Sequence, residues 1–227
     1  MKKVLMCGLI AACFMTPLSA VAFDMSKINI FKKSAKETVK EPTVYTPVTP
    51  ATVASTLSIL NKQLAATDTL AQNAFLSVIS MLTPQEEASH IRSQMVSILA
   101  NSAINDDERG KQITALIDMF SSSITDNGSY IANKIAKMPE GQKASLIKNL
   151  SLLSKSDAKY KEIANEYSRI ASALSKVSSN KADKATISAL KHNASSVKRS
   201  AHALESLMNQ LSAVSESNGS GALFFGQ

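Results

Sequence analysis

Cysteine is almost missing from this 227-residue chain: the two present, Cys7 and Cys13, both lie in its first apolar run. If that run is removed, no thiol remains, and disulfide frameworks and thiolate metal sites are excluded. Seven glycines, none of them clustered within the body, leave no glycine-rich loop to cradle a phosphate or build an oxyanion hole. Between residues 53 and 215 the only prolines are Pro84 and Pro139, so little interrupts helix formation. The three histidines, His90, His192 and His202, are too far apart along the chain for any two to share a helical turn. Neither a metal site nor a cofactor is expected.

What is present begins with MKKVLMCGLIAACFMTPLSAVAFD. Lys2 and Lys3 form a positive n-region, Val4 to Phe14 is an apolar run too short to span a bilayer, and Ala20-Val21-Ala22 is a small-x-small cleavage site ahead of Phe23. Residues 1–22 therefore read as a secretory signal peptide, and the mature protein as periplasmic or secreted. The alternative takes Ile10-Ala11-Ala12-Cys13 as a lipobox, which would leave the protein lipid-anchored to the membrane through Cys13. Phe14, Met15, Leu18 and Val21 remain apolar where a lipoprotein should turn polar, which favours cleavage after Ala22. That cleavage removes 22 of 227 residues to leave 205, and loss of Lys2 and Lys3 lowers the formal charge from +7 to +5. In an exported protein such a surplus faces an envelope or secreted protein, or touches anionic lipid or an envelope polymer, and nucleic acid is not an expected partner.

Residues 23–52 carry five lysines, then Pro42, Pro47 and Pro50 among Thr and Val, and are expected to form a basic flexible arm ending in an extended connector. Residues 53–215 read as a helical bundle domain. In the first predicted helix Leu57, Leu60, Leu64, Thr67, Ala71, Phe75, Val78 and Leu82 recur at steps of three and four. Thr83, Pro84 and Glu86 have the spacing of a capping box for a second helix, with Ala88, Ile91, Met95 and Ile98 inward. Asn105 and Glu108 repeat it for a third, whose buried face is Ile113, Leu116, Phe120 and Ile124, with a kink or short break at Asp126-Asn127-Gly128. Leu146, Leu150 and Leu153 mark a short fourth helix, and Ser156 or Asp157 begins a fifth.

The last two predicted helices repeat every 3.5 residues, the fifth through Tyr160, Ile163, Tyr167, Ile170, Leu174 and Val177, the sixth through Ile187, Leu190, Ala194, Val197, Ala201, Leu204, Met208 and Leu211. With a turn at Ser178 to Asp183 they would form a hairpin in which Tyr160 and Tyr167 lie beside Ala201 and Ala194. The fold expected is thus all-α, an elongated antiparallel helical bundle of about five to six helices with a C-terminal coiled-coil-like hairpin. Residues 216–227 form a Gly/Ser-rich tail expected to be disordered, in which Leu223, Phe224 and Phe225 are a candidate docking peptide.

Chemistry is harder to find than architecture. The acids cluster at predicted helix starts, where capping and the helix dipole account for them. Ser-x-x-Lys occurs at Ser145, Ser156, Ser178, Ser188 and Ser195, a frequency that reflects composition, and neither Ser-Asp-Asn nor Lys-Thr-Gly follows. No enzymatic activity is expected. On the sixth helix Lys184, Lys191 and Lys198 line one side of the apolar stripe, with Thr186, Asn193 and Ser200 on the other, and form a candidate basic interaction face. Leu82-Thr83-Pro84-Gln85-Glu86 resembles the Leu-Thr-x-x-Gln signature of Spy-type periplasmic chaperones, small helical proteins that hold unfolded clients. Glu86 stands where that signature has Gln, and no functional residue transfers. The layout is also similar to that of minor pilus subunits of type IV secretion systems, which are exported helical bundles.

The function expected from these features is a non-enzymatic protein-interaction module of a bacterial envelope: a chaperone, adaptor or secretion-apparatus component. The alternative is a membrane-active toxin or effector, for which Ala71 to Leu82 is the most apolar segment. Intact-mass measurement of the native protein should give a chain beginning at Phe23 in a soluble fraction; an acylated mass beginning at Cys13 would overturn that cleavage.

Overall fold

The apolar stripes become six helices, and among the described residues there is no strand. The computed structural model describes residues 50–177 and 181–216; the expected signal peptide, the expected arm up to residue 49 and the tail with Leu223, Phe224 and Phe225 lie outside them. In chain order the helices are α1 (Pro50–Leu82), α2 (Gln85–Ala100), α3 (Asp106–Asp126), α4 (Gly128–Ala136), α5 (Glu140–Val177) and α6 (Lys181–Glu216). The expected connector gives up its last three residues to α1, which starts on Pro50. Proline suits a first turn because the amide it lacks would have no intrahelical partner there.

Along α1, Leu60, Ala71, Phe75, Val78 and Leu82 are buried, joined by Ala74 and Ile79. The segment Ala71 to Leu82 is therefore core, and no helix among the described residues is long and apolar enough to cross a membrane. At its end Thr83 is not a cap for α2. Its amide and hydroxyl both donate to the Ile79 carbonyl at 2.9 Å, which terminates α1, and Pro84, with no side-chain oxygen to offer, takes the N-cap of α2. The capping-box reading fails because Thr83 is drawn under the turn and buried. Asn105 does cap α3, accepting from the Glu108 amide at 2.8 Å. The break at Asn127 separates α3 from α4, and Ile131, Ile135 and Met138 stay in phase and buried beyond it.

No helix starts at Ser156 or Asp157. α5 runs unbroken for 38 residues, because the Ser156 hydroxyl turns back to the Leu152 carbonyl at 2.9 Å and Asp157 pairs with Lys161 at 3.0 Å one turn on. The predicted fourth and fifth helices are one, and the total of six is kept by the separation of α3 from α4.

Side-chain bonds give the packing order. Tyr160 and Tyr167 of α5 donate to Asp68 and Asn61 of α1, each at 2.7 Å, so α5 lies antiparallel to α1, and Lys161 meets Glu205 of α6 at 3.2 Å. Asp107 meets Arg199 and Thr125 meets Gln210, both at 3.2 Å, which makes α3 and α6 parallel. α6 already occupies Lys181 onward, leaving of the expected turn only residues 178–180, outside the described residues. Ala194 and Ala201 are buried as expected. The tyrosine hydroxyls, however, are bonded to α1, an outcome invisible in the spacing along α5 and α6.

α1 and α3 do not pack along each other; α2 bridges them, and one edge-to-face contact joins Phe75 to Phe120 with centroids 5.8 Å apart. Replacing Ala194 or Ala201 by tyrosine would force a ring into filled space. Each variant should lose about 1–3 kcal/mol, seen as a lower thermal midpoint; unchanged midpoints for both would contradict this packing.

Candidate functional site: a cleft between α1 and α3

Because α1 is held by α5, and α3 by α6, the unpaired edge between α1 and α3 opens into a cleft of about 620 Å³. Tyr160 and Tyr167 of α5 line it, α1 contributes Asn61, Leu64 and Asp68, and α6 contributes Asn193, Ser196 and Ser200. Apolar surface comes from Ile113, Ile117, Val197 and Leu204, and from Leu99 of α2, which is 42% exposed. Such a mixture, apolar walls with a few fixed polar groups, is what ligand clefts of this volume generally show.

Asp68 is the one half-buried carboxylate that the cleft sets against an aromatic hydroxyl. Burial pushes it above the ordinary carboxylate range, the Tyr160 hydroxyl bond opposes this, and the charge of Asp106 adds to the rise. Tyr160 is pushed up in turn, by burial first and then by the adjacent Asp68 charge. Tyr167 is raised for the same two reasons. Tyr160 thus keeps its proton and donates it to Asp68.

At the edge of the cleft Asp107 is a hub. Lys111 approaches it at 2.7 Å, His192 at 2.9 Å and Arg199 at 3.2 Å. Lys111 above all, with His192 and the Ser196 hydroxyl, holds its carboxyl below the usual range. Helix capping does not exhaust this acid: it ties α3 to α6. Arg109 is bonded to Asp106 and also to the Asn101 and Ile104 carbonyls at 3.2 and 3.4 Å, which fixes the α2–α3 connection.

The predicted basic residues lie elsewhere. Lys184, Lys191 and Lys198 are all exposed, and none is paired with a carboxylate among the described residues. One heptad further along the row, Glu205 is tied to Lys161 of α5. The opposite row, Asn193 and Ser200, is the one that faces the cleft. Of the Ser-x-x-Lys serines, Ser145 and Ser156 donate to carbonyls one turn back. Among the described residues no three His, Cys, Asp or Glu side chains converge. The cleft itself was missed in sequence, although Asp68 beside Thr67 and Ala71 placed a charge on the edge of the apolar stripe.

No protein-family model, characterised protein or solved structure matches the chain.

A carboxyl held above its ordinary value binds its proton more tightly in the folded chain than in the unfolded one. Asp68 therefore favours folding at low pH, and that contribution is lost as pH rises from 3.8 through its folded value. Asp68→Asn keeps an acceptor for Tyr160 without the charge. It should melt higher than wild type at pH 7, with the difference shrinking in acid; a lower midpoint at pH 7 would show that the charge is not a cost to the fold.

Proposed function

We propose that the chain is an exported, non-enzymatic helical binding module that holds a segment of a partner protein of the bacterial envelope or exterior in the cleft between α1 and α3. The observation that carries this reading is the cleft itself: about 620 Å³ of mixed apolar and polar surface left open where two neighbouring helices do not pack. A chain of this length can cover its own core, and an uncovered edge with exposed Leu99 beside it is surface suited to a partner.

Export rests on residues 1–22, and the absence of catalysis on the polar groups of the cleft. Its serine, threonine and asparagine side chains have no histidine or lysine base among the residues that line the cavity. Burial and the adjacent Asp68 charge push Tyr160 up, which holds its phenolic proton in place, where an acid–base group needs a value near the working pH. The row Lys184, Lys191 and Lys198 is suited to a peripheral contact with anionic lipid, envelope polymer or an acidic part of the same partner.

Photocrosslinking residues placed at Thr69 and Thr114, both lining the cleft, should capture a discrete partner from envelope or medium extracts, and one placed at exposed Ser172 of α5, outside it, should not. Capture from all three positions alike, or from none, would count against the cleft as the binding site.

A further inference from the structure

Building on the cleft as the binding site, we infer that it selects a primary ammonium group on an aliphatic stem, a lysine side chain of the partner segment, seated on the free oxygen of Asp68.

Charge is the first reason. The protein carries a formal +7, yet the charged groups lining the cleft are Asp68, Asp106 and Asp107 against Arg109 alone. Asp106 is taken by Arg109, and Asp107 by Lys111, His192 and Arg199. Asp68 has no cation beside it among the described residues. A carboxylate withdrawn from water without a counterion is costly, and a ligand cation is what removes that cost.

Geometry then narrows the cation. Oδ1 of Asp68 accepts from Tyr160 at 2.7 Å, which leaves Oδ2 as the oxygen with no bonded partner among the described residues. A guanidinium fork gains its advantage from two parallel bonds to both carboxylate oxygens, and here one of them would have to share Oδ1 with the Tyr160 hydroxyl. An ammonium is a point charge with three donors and needs only one carboxylate oxygen, with neutral oxygens for the rest. Hydroxyls and amides of that kind, Ser196, Ser200 and Asn193, lie along the α6 wall, while Leu64, Ile113 and Val197 suit the stem. The volume exceeds that of one lysine stem, which leaves room for the side chains that flank it in a polypeptide.

The test is a titration of the ¹⁵N-labelled mature chain with n-pentylammonium, Nα-acetyl-lysine N-methylamide, n-pentylguanidinium and 1-pentanol, followed through the amides of residues 61–72 and 193–204. The two ammonium probes should give saturable shifts there, with pentylguanidinium weaker by about fivefold and pentanol without saturation. Asp68→Asn should keep the spectrum of a folded chain and weaken pentylammonium about tenfold, the scale of one desolvated ion pair. Equal binding of pentanol, equal or tighter binding of the guanidinium, or undiminished affinity in Asp68→Asn would each overturn the ammonium assignment. Binding of pentylammonium with exclusion of the blocked lysine would overturn the assignment to a partner's side chain in favour of a free amine. The two readings separate cleanly: undiminished capture from Thr69 and Thr114 in an Asp68→Asn background sinks the ammonium assignment and leaves the cleft as a partner site, whereas absence of cleft-specific capture in the wild-type chain sinks both.

Discussion

Two hydroxyl bonds from α5 to α1 set the frame on which the rest of the structure depends. The rings of Tyr160 and Tyr167 are buried, and a buried phenol needs a partner for its O–H or costs about 1–3 kcal/mol. Both find it on α1, one at Asp68 and one at Asn61, two turns apart on each helix. That spacing pins the register of α1 against α5, and α5 also packs on α6, whose Ala194 and Ala201 are buried. With α1 committed to α5, α3 finds its most extensive neighbour in α6. The cleft is the consequence of these commitments, an edge that neither pair of helices closes.

Charge reinforces the same division. Asp107 gathers Lys111, His192 and Arg199, so the α3–α6 contact is fastened by a polar cluster at the upper end and by Thr125 with Gln210 lower down. Surface pairs of this kind contribute little singly, and most of the α3–α6 stability comes from the apolar seam that includes Leu116, Phe120 and Leu204. Their effect is on register: they fix which part of α6 stands opposite the start of α3, and hence which side chains line the cleft. The lysine row at 184, 191 and 198 is left out of these networks and remains exposed.

Helices were legible because an apolar period of 3.5 to 3.6 is a local property, and nearly every stripe residue named from the sequence is buried or half-buried. Asn105 was legible as a cap for the same reason. Thr83 and Ser156 were misread because a hydroxyl can bond forward to start a helix or backward to a carbonyl, and the choice depends on what covers it. The partners of Tyr160 and Tyr167 lie 92 and 106 residues away, beyond any pattern in the chain. The cleft was illegible for a further reason. Its walls come from α1, α2, α3, α5 and α6, each supplying a few polar residues that read alone as ordinary solvent-facing positions. Besides Asp68 on the edge of the α1 stripe, the row of Asn193 and Ser200 hinted at it, by offering neither an apolar nor a charged flank to the α6 stripe.

The position of Asp68 couples ligand to fold. In the unliganded chain its carboxylate opposes folding, since burial raises it and Tyr160 only partly compensates. A cation seated there relieves that opposition and, by reaching from α1 to the wall formed by α3 and α6, closes the one edge that the helices leave open. Any species that binds only the folded chain stabilises it in proportion to the logarithm of its concentration over Kd. For this bundle the increment falls between α1 and α3, which do not pack along each other and meet at the Phe75–Phe120 contact. A destabilising acid in an otherwise self-sufficient core is hard to account for by stability alone. As a recognition group it has a reason to be there, since the same desolvation that penalises the empty carboxylate strengthens its attraction for an incoming cation.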